Sequence, residues 1–533
     1  MFVETVRRPY KDRVYTATLL RETYREDGKV KHRTLANLSA LPAPTIDLIR
    51  RSLKGQTLVN AREVFRITSS RAHGAVATLY QLLQRLKLPQ LLGSQRRPWH
   101  QLVLAMVIAR LIHPGSKRFT AAWWQTTTLH RVLGLPESVP VNELYEAMDQ
   151  LLQLQPQIEQ TLAARHLDEG ALVLYDLTSV YLEGRHCPLA AHGYSRDGKR
   201  GKQQFVYGLL TNAQGCPVAV QVFAGNQADT GTVQHQVEKL RQQFGFQRVV
   251  VVGDRGMITS TRIEELQQIG YDWITALRAP SLRRLHKQGS LQLSLFDQRG
   301  LAEIYDPEYP QERLVVCRNP LVAQERRRKR EELLQATELQ LEKIRVRVER
   351  GRLRQPAAIA LAVGAVINRW KMAKHLGHTI AEGSFTYQRN LTAIAEEAAL
   401  DGLYVLRTAV PATALTAAQV QQSYHSLRQV ERAFRSRKTM QLELRPVFHW
   451  REERVRAHTF LCMLAYYLQW HLEQALAPMR EQAEYGSLKL LLARLHSLQL
   501  NRVEVDGQHF DLVTQPDSYQ QRVLDCLGIT TLL

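Results

Sequence analysis

Two apolar runs in this chain each carry an aspartate where a strand interior should be dry. Asp176 interrupts Leu172-Val173-Leu174-Tyr175-Asp176-Leu177, and Asp254 ends Val249-Val250-Val251-Val252-Gly253-Asp254. An ionised carboxylate inside such a run is strongly unfavourable unless it is paired or binds a cation. A third carboxylate, Glu431, falls in a helical stretch among Tyr424, Arg428, Arg435 and Lys438. Three carboxylates with no Cys or His cluster suit a hard, oxygen-preferring ion such as Mg²⁺ or Mn²⁺. With a polyanionic partner, the matching reaction is two-metal phosphoryl transfer.

Charge supplies the partner. Lys+Arg 71 against Asp+Glu 50 gives +21, an excess that favours DNA or RNA. A membrane is the weaker reading, because apolar stretches such as Leu102–Ile112 and Phe460–Trp470 are too short or too interrupted to span a bilayer. Cys187, Cys216, Cys317, Cys462 and Cys526 are scattered and never form a Cys-x-x-Cys pair, which argues against a disulfide framework and against structural zinc. Met1–Tyr10 is polar and basic with no apolar leader, so a cytoplasmic, nucleoid-associated protein is expected.

At 533 residues the chain has room for several units. Residues 1–60 read as a β-hairpin unit, with Asp27-Gly28 as its turn signal. Residues 61–166 read as helical and as the expected DNA-binding region. Lys117, Arg118, Trp123, Trp124, His130 and Arg131 mix basic and aromatic side chains there, although paired Trp residues on a helix are more often core. Strand-like runs at 171–182, 205–212 and 216–224 precede helix, strand 247–253, helix and strand 271–277. That order is the one expected of a ribonuclease H-like sheet, in which the first and fourth strands lie side by side. The fold class is therefore α/β: a ribonuclease H-like catalytic core (167–280 and 401–480) with an inserted domain (281–400), flanking helical regions and a C-terminal region (481–533). Within the insertion, Arg326-Arg327-Arg328-Lys329-Arg330 suits either a solvated helix face or a nucleic-acid contact.

The third carboxylate sits on a helix expected from an N-cap at Thr416 to about Lys438. Tyr424, Arg428, Glu431, Arg435 and Lys438 are spaced 4, 3, 4 and 3, which makes one narrow stripe. Val420, Leu427, Val430 and Phe434 form the neighbouring apolar stripe. A plain surface helix with Glu–Arg pairs would show the same spacing.

Taken with these motifs, the chain resembles a DDE-type transposase of a bacterial insertion sequence. The branch it resembles has an insertion before the catalytic Glu and a Tyr-Arg-Glu-Lys signature. Tyr424, Glu431 and Lys438 match that signature, and Gly253-Asp254-Arg255-Gly256 resembles the second motif. Gly208-Leu209-Leu210, Phe223-Ala224-Gly225-Asn226 and Arg445-Pro446-Val447-Phe448-His449 resemble the flanking blocks. The signature Arg falls where this chain has Leu427, with Arg428 one place later.

The resemblance implies two Mg²⁺ (or Mn²⁺) ions on Asp176, Asp254 and Glu431, with Tyr424, Arg428 and Lys438 on transposon-end phosphates. Arg255 suits either a phosphate clamp or a structural ion pair. The loop containing Lys199, Arg200 and Lys202 suits either backbone tracking or a solvated turn, and Arg435 extends the stripe. The resemblance also implies cut-and-paste transposition of double-stranded DNA by a homodimer. A base flipped against an aromatic residue is implied too, with Trp370 and Trp450 as candidates. A ribonuclease H-like nuclease without strand transfer, or a silent DNA-binding descendant, are the alternatives.

Overall fold

The computed structural model describes the chain except residues 11–12, 57–64, 96, 185, 197, 200, 292–295, 297–299, 437–441, 443, 445–446, 483–485, 506 and 533, and the side chains of Tyr10 and Arg13. Lys438, Arg200, Arg445 and Pro446 thus lie outside the described residues.

Strands β1 (Phe2–Tyr10), β2 (Arg13–Glu26) and β3 (Lys29–Asn37) form an antiparallel sheet, followed by helix Ala43–Leu53. Asp27 and Gly28 both take positive φ (51° and 76°), the backbone that a two-residue turn matching strand twist demands. The unit is a three-stranded sheet rather than a single hairpin.

The next segment is not uniformly helical. Strand β4 (Phe65–Ala72) opens it and pairs with a strand more than 400 residues away, β15 (Gln499–Val505), beside β16 (Gln508–Val513). Helix Pro98–Ile112 is apolar on nearly every face and buried along almost its whole length, as such a helix must be. It packs with helices Val141–Gln153 and Glu452–Ala475 in one continuous core that also runs under the sheet. No helix among the described residues is long and apolar enough to cross a membrane.

The main sheet has eight strands. Strands β5 (Leu172–Tyr181), β6 (Gln204–Asn212) and β7 (Pro217–Ala224) are antiparallel neighbours. Helix Asp229–Glu238 then leads to β8 (Val250–Val252), and helix Ser260–Gln268 to β9 (Asp272–Ala276). Strand β8 lies parallel between β5 and β9, which is the ribonuclease H-like order. Gly208 on β6 is required because the Tyr175 ring crosses over it, and a Cβ there would collide with the ring and its hydroxyl.

The stretch expected to be an insertion begins as part of this sheet. Strands β10 (Leu301–Ile304) and β11 (Arg313–Arg318) extend it beyond β14 (Leu403–Thr408), which pairs antiparallel with β9. Between β11 and β14 stand helices Pro320–Glu349 and Pro356–Trp370 and the hairpin of β12 (Leu376–Ala381) and β13 (Ser384–Arg389). This unit has an apolar cluster of its own around Leu334, Leu341, Ile359, Val363 and Phe385.

Two further expectations change. Trp123 and Trp124 are core, and Trp124 donates its indole N–H to the Glu137 carbonyl at 2.8 Å. Lys117 is buried, 3% exposed, with Nζ 3.4 Å from His458 Nδ1, so it cannot touch DNA; Arg118 remains exposed. Burial, then the Arg110 charge, pulls the Lys117 ammonium down to about 7. The unfolded chain, with a lysine near its ordinary value, therefore holds a proton between about pH 7 and 10 that the folded chain has shed. Stability rises with pH across that window. Urea melts should show a gain of roughly 2 kcal/mol between pH 7 and 9 from this group, and Lys117→Met should remove it.

Candidate active site

Strand β5 is buried from Val173 to Val180 except at Asp176, whose side chain reaches a cleft. The parallel register runs Leu172↔Val250 to Leu174↔Val252, and Asp176 and Asp254 both follow its last pair and line the same cleft. Asp254 follows the end of β8, where the chain turns: the amides of Met257 and Ile258 both donate to the Asp254 carbonyl. Glu431 comes from above the sheet, on helix Leu427–Arg435, which packs against β5 through Val430, Ala433 and Phe434.

The helix is not continuous from Thr416. Thr416 does cap it, in a reciprocal capping box with Gln419, but helix Ala417–His425 gives way to Leu427–Arg435 at Ser426. Ser423 and Ser426 donate their hydroxyls back to the carbonyls of Gln419 (2.7 Å) and Gln422 (3.1 Å), a competition that bends helices.

The cleft, a cavity of about 560 Å³, is lined by Asp176, Asp254 and Glu431 together with Tyr424, Leu427 and Arg428. Burial, reinforced by the Asp254 and Glu431 charges, pushes Asp176 up to about 7, against a 2.7 Å hydrogen bond donated by the Leu177 amide. Tyr424 is pushed up to about 12 by burial and by Asp254, toward which its hydroxyl donates. A buried carboxylate raised by burial and by two neighbouring acids suits a hard cation. The three do not form a single-ion cage. Among the described residues, ligand atoms of three Asp, Glu, His or Cys side chains come within 4.8 Å of one another only at His166, Cys216 and His471.

The family description "Transposase DDE domain" matches residues 169–468, more than half of the chain. The chain belongs to the DDE transposases. Residues 3–64 match the N-terminal domain of the IS1634 family of transposases, so this transposase is one of an insertion sequence, and it acts on DNA, cutting it and transferring strands. Its family is generally dependent on a divalent metal. No curated protein matches the sequence. Among solved structures, the transposase is similar to a piggyBac transposase synaptic complex with hairpin DNA, at 9% identity over 86% of this chain and 82% of that one (TM-score 0.35). It is also similar to a Mos1 transposase paired-end complex with the left transposon end, at 11% identity over 34% of this chain and 60% of that one (TM-score 0.15). Overlaps this loose say nothing about mechanism.

The remaining sequence candidates are dispersed. Arg428 lines the cleft, whereas Arg435, exposed on the same helix, does not. Arg255 is exposed, and its charge reaches Tyr424. Lys199 is exposed on its loop. Lys202 is paired with Glu183 at 2.9 Å and lies over the Tyr181 ring. Trp370 is half-buried against the cluster of the inserted unit, and Trp450 is exposed beside Gly184.

Two cleft cations escaped individual notice in the sequence. Arg196 opens the basic loop, lines the cleft and pairs with Asp229 at 2.5 Å. Arg326 belongs to the basic run, whose members part company once the helix forms. Arg326 faces the cleft, Arg328 pairs with Glu325 and Glu332 on the surface, and Arg330 is buried against Asp401. The step of four from Arg326 to Arg330 was the available signal.

A divalent ion among these carboxylates needs Asp176 ionised, and with a value of about 7 its ionised fraction falls about tenfold from pH 8 to pH 6. Calorimetric Mn²⁺ titration should show affinity falling by about that factor, and Asp176→Asn should bind weakly with little pH dependence. A wild-type affinity flat across this range would contradict the assignment.

Proposed function

We propose that Asp176, Asp254 and Glu431 hold two divalent ions, Mg²⁺ or Mn²⁺, with which the transposase cuts its element's ends and joins them to target DNA by a cut-and-paste route. One observation carries the reading: carboxylates separated by 254 − 176 = 78 and 431 − 254 = 177 residues line one cleft, with Arg196, Arg326 and Arg428 at its walls. When bound, such ions activate the attacking water or 3′-hydroxyl and stabilise the leaving oxygen.

The chain's own groups do the rest. Asp176, buried and raised by the charges of the other two acids, is the carboxylate most in need of a cation. Tyr424 orients Asp254 through its hydroxyl. Arg428, Arg196 and Arg326 take phosphate oxygens of the end held in the cleft, and guanidinium groups suit that contact by geometry as well as charge. Arg428 thereby fills the place that Leu427 leaves without a cation. Arg255, Arg435, Lys199, Arg200, Lys202 and Lys438 make further contacts with phosphates of the transposon end. The unit at 1–60 and exposed surfaces of 61–166 bind end DNA, 281–400 walls the site, and two protomers pair two ends.

Asp176→Ala, Asp254→Ala and Glu431→Ala should each abolish metal-dependent cleavage of a labelled transposon end, while end binding in a mobility-shift assay stays within a few-fold. Near-normal turnover in any one would remove that residue from the site. Cleavage without strand transfer by the wild type would favour a simple nuclease.

Arg428→Ala and Arg326→Ala should weaken end binding and each lower the log–log salt slope by about one. Unchanged slopes would return both residues to structural roles.

A further inference from the structure

We propose that His166, Cys216 and His471 form a second metal site, outside the catalytic cleft, that takes a borderline-soft divalent ion of the Zn²⁺ class. One donor atom from each residue lies within 4.8 Å of the other two. Tetrahedral coordination at about 2.0–2.3 Å needs donors roughly 3.3–3.7 Å apart, so side-chain rotation of about an ångström closes the set. Two imidazole nitrogens and one sulfur select zinc-like ions over Mg²⁺ or Mn²⁺, which leaves the carboxylate site and this one with different metals.

The three donors come from three elements. His166 ends helix Gln155–His166, Cys216 closes the turn between β6 and β7, and His471 lies on helix Glu452–Ala475. The turn is held for the purpose: Asn212 Oδ1 accepts from the amides of Gln214 (3.1 Å) and Cys216 (2.9 Å), and Trp470 Nε1 donates to the Gln214 carbonyl at 3.3 Å. The imidazole of His471 stands 5.5 Å from that of His166, centroid to centroid, and 4.5 Å from the Tyr467 ring.

Two details distinguish the group from ordinary packing. His471 Nε2 is buried with no hydrogen-bond partner among the described residues, a cost that a metal bond would relieve. His166 Nε2 lies 2.9 Å from the Tyr467 hydroxyl, the kind of contact that fixes the orientation of a ligating ring. Burial lowers both His471 and His166, which disfavours the charged rings and favours the neutral form that ligates. The same burial raises the Cys216 thiol, so metal uptake displaces its proton and releases about one per ion.

The site also has something to hold. Gly215, next to Cys216, lies so close to Gln429 that a Cβ would stand 2.7 Å from that side chain's own Cβ. Gln429 is two residues from Glu431. A metal at Cys216 therefore braces the turn on which the Glu431 helix rests. The cysteine spacing gave no sign of this, because each ligand comes from a different segment.

Titration of the metal-free full-length protein with Co²⁺ tests the proposal. Binding at one equivalent should bring an intense thiolate-to-cobalt charge-transfer band in the near ultraviolet. Carboxylates of the cleft cannot produce that band, so cobalt bound there does not confuse the result. Cys216→Ala should abolish it, His471→Gln should weaken it at least tenfold in affinity, and added Zn²⁺ should bleach it. Zn²⁺ should also raise the thermal midpoint of the wild type by more than that of Cys216→Ala. A missing band in the wild type, or a band that survives in folded Cys216→Ala, would overturn the proposal.

Discussion

The parallel pairing of β5 with β8 is the interaction on which the rest of this molecule depends. It brings two carboxylates to one cleft at the edge of a core that is otherwise closed from Val173 to Val180. An acid in that position has few options: stay protonated, find a cation, or disrupt the strand. Asp176 takes the first, at a value of about 7, and stands ready for the second. The surrounding structure follows from keeping that group reachable. The cleft opens above it, Leu177 gives it one amide, and Gly208 yields the space that Tyr175 needs beside it.

The two signs of charge are segregated on different length scales. Over the whole chain the excess is +21, which draws a polyanion in from a distance. Within the cleft the negative charge is confined to three carboxylates, matched in number by Arg196, Arg326 and Arg428 on the lining.

Part of the cleft wall, at Asn319, Val322 and Arg326, is built by the stretch between β11 and β14. Helix Pro320–Glu349 is fixed at its root by Asn319, whose amide donates to the Gly402 carbonyl at 2.9 Å, and about three turns further on by the buried Arg330–Asp401 pair. Gly402 has φ +74°, and a Cβ there would strike the Asn319 carbonyl, so the junction tolerates no other residue easily. A buried pair of this kind is costly to break from one side, which makes it a good pin for an element that must hold Arg326 in place.

Local pattern determined much of this protein. The order of strands from β5 to β9, the Asp27-Gly28 turn, the cap at Thr416 and the two strand aspartates were all legible, because each depends on a handful of neighbouring side chains. What escaped was set by partners distant in sequence. Strand β4 exists because β15 pairs with it across more than 400 residues, and no periodicity within 65–72 announces that. Lys117 reads as a surface cation until Arg110, His458 and helix Glu452–Ala475 close over it. Helix formation sorted the basic run into one cleft residue, one surface pair and one buried pin. His166, Cys216 and His471 share nothing in the sequence; three elements packed on one core bring them within 4.8 Å. The sequence by itself decided which residues could carry the chemistry, since charge and chain-local geometry are written in it. The tertiary structure alone decided which of them meet, because burial and proximity belong to the packed chain.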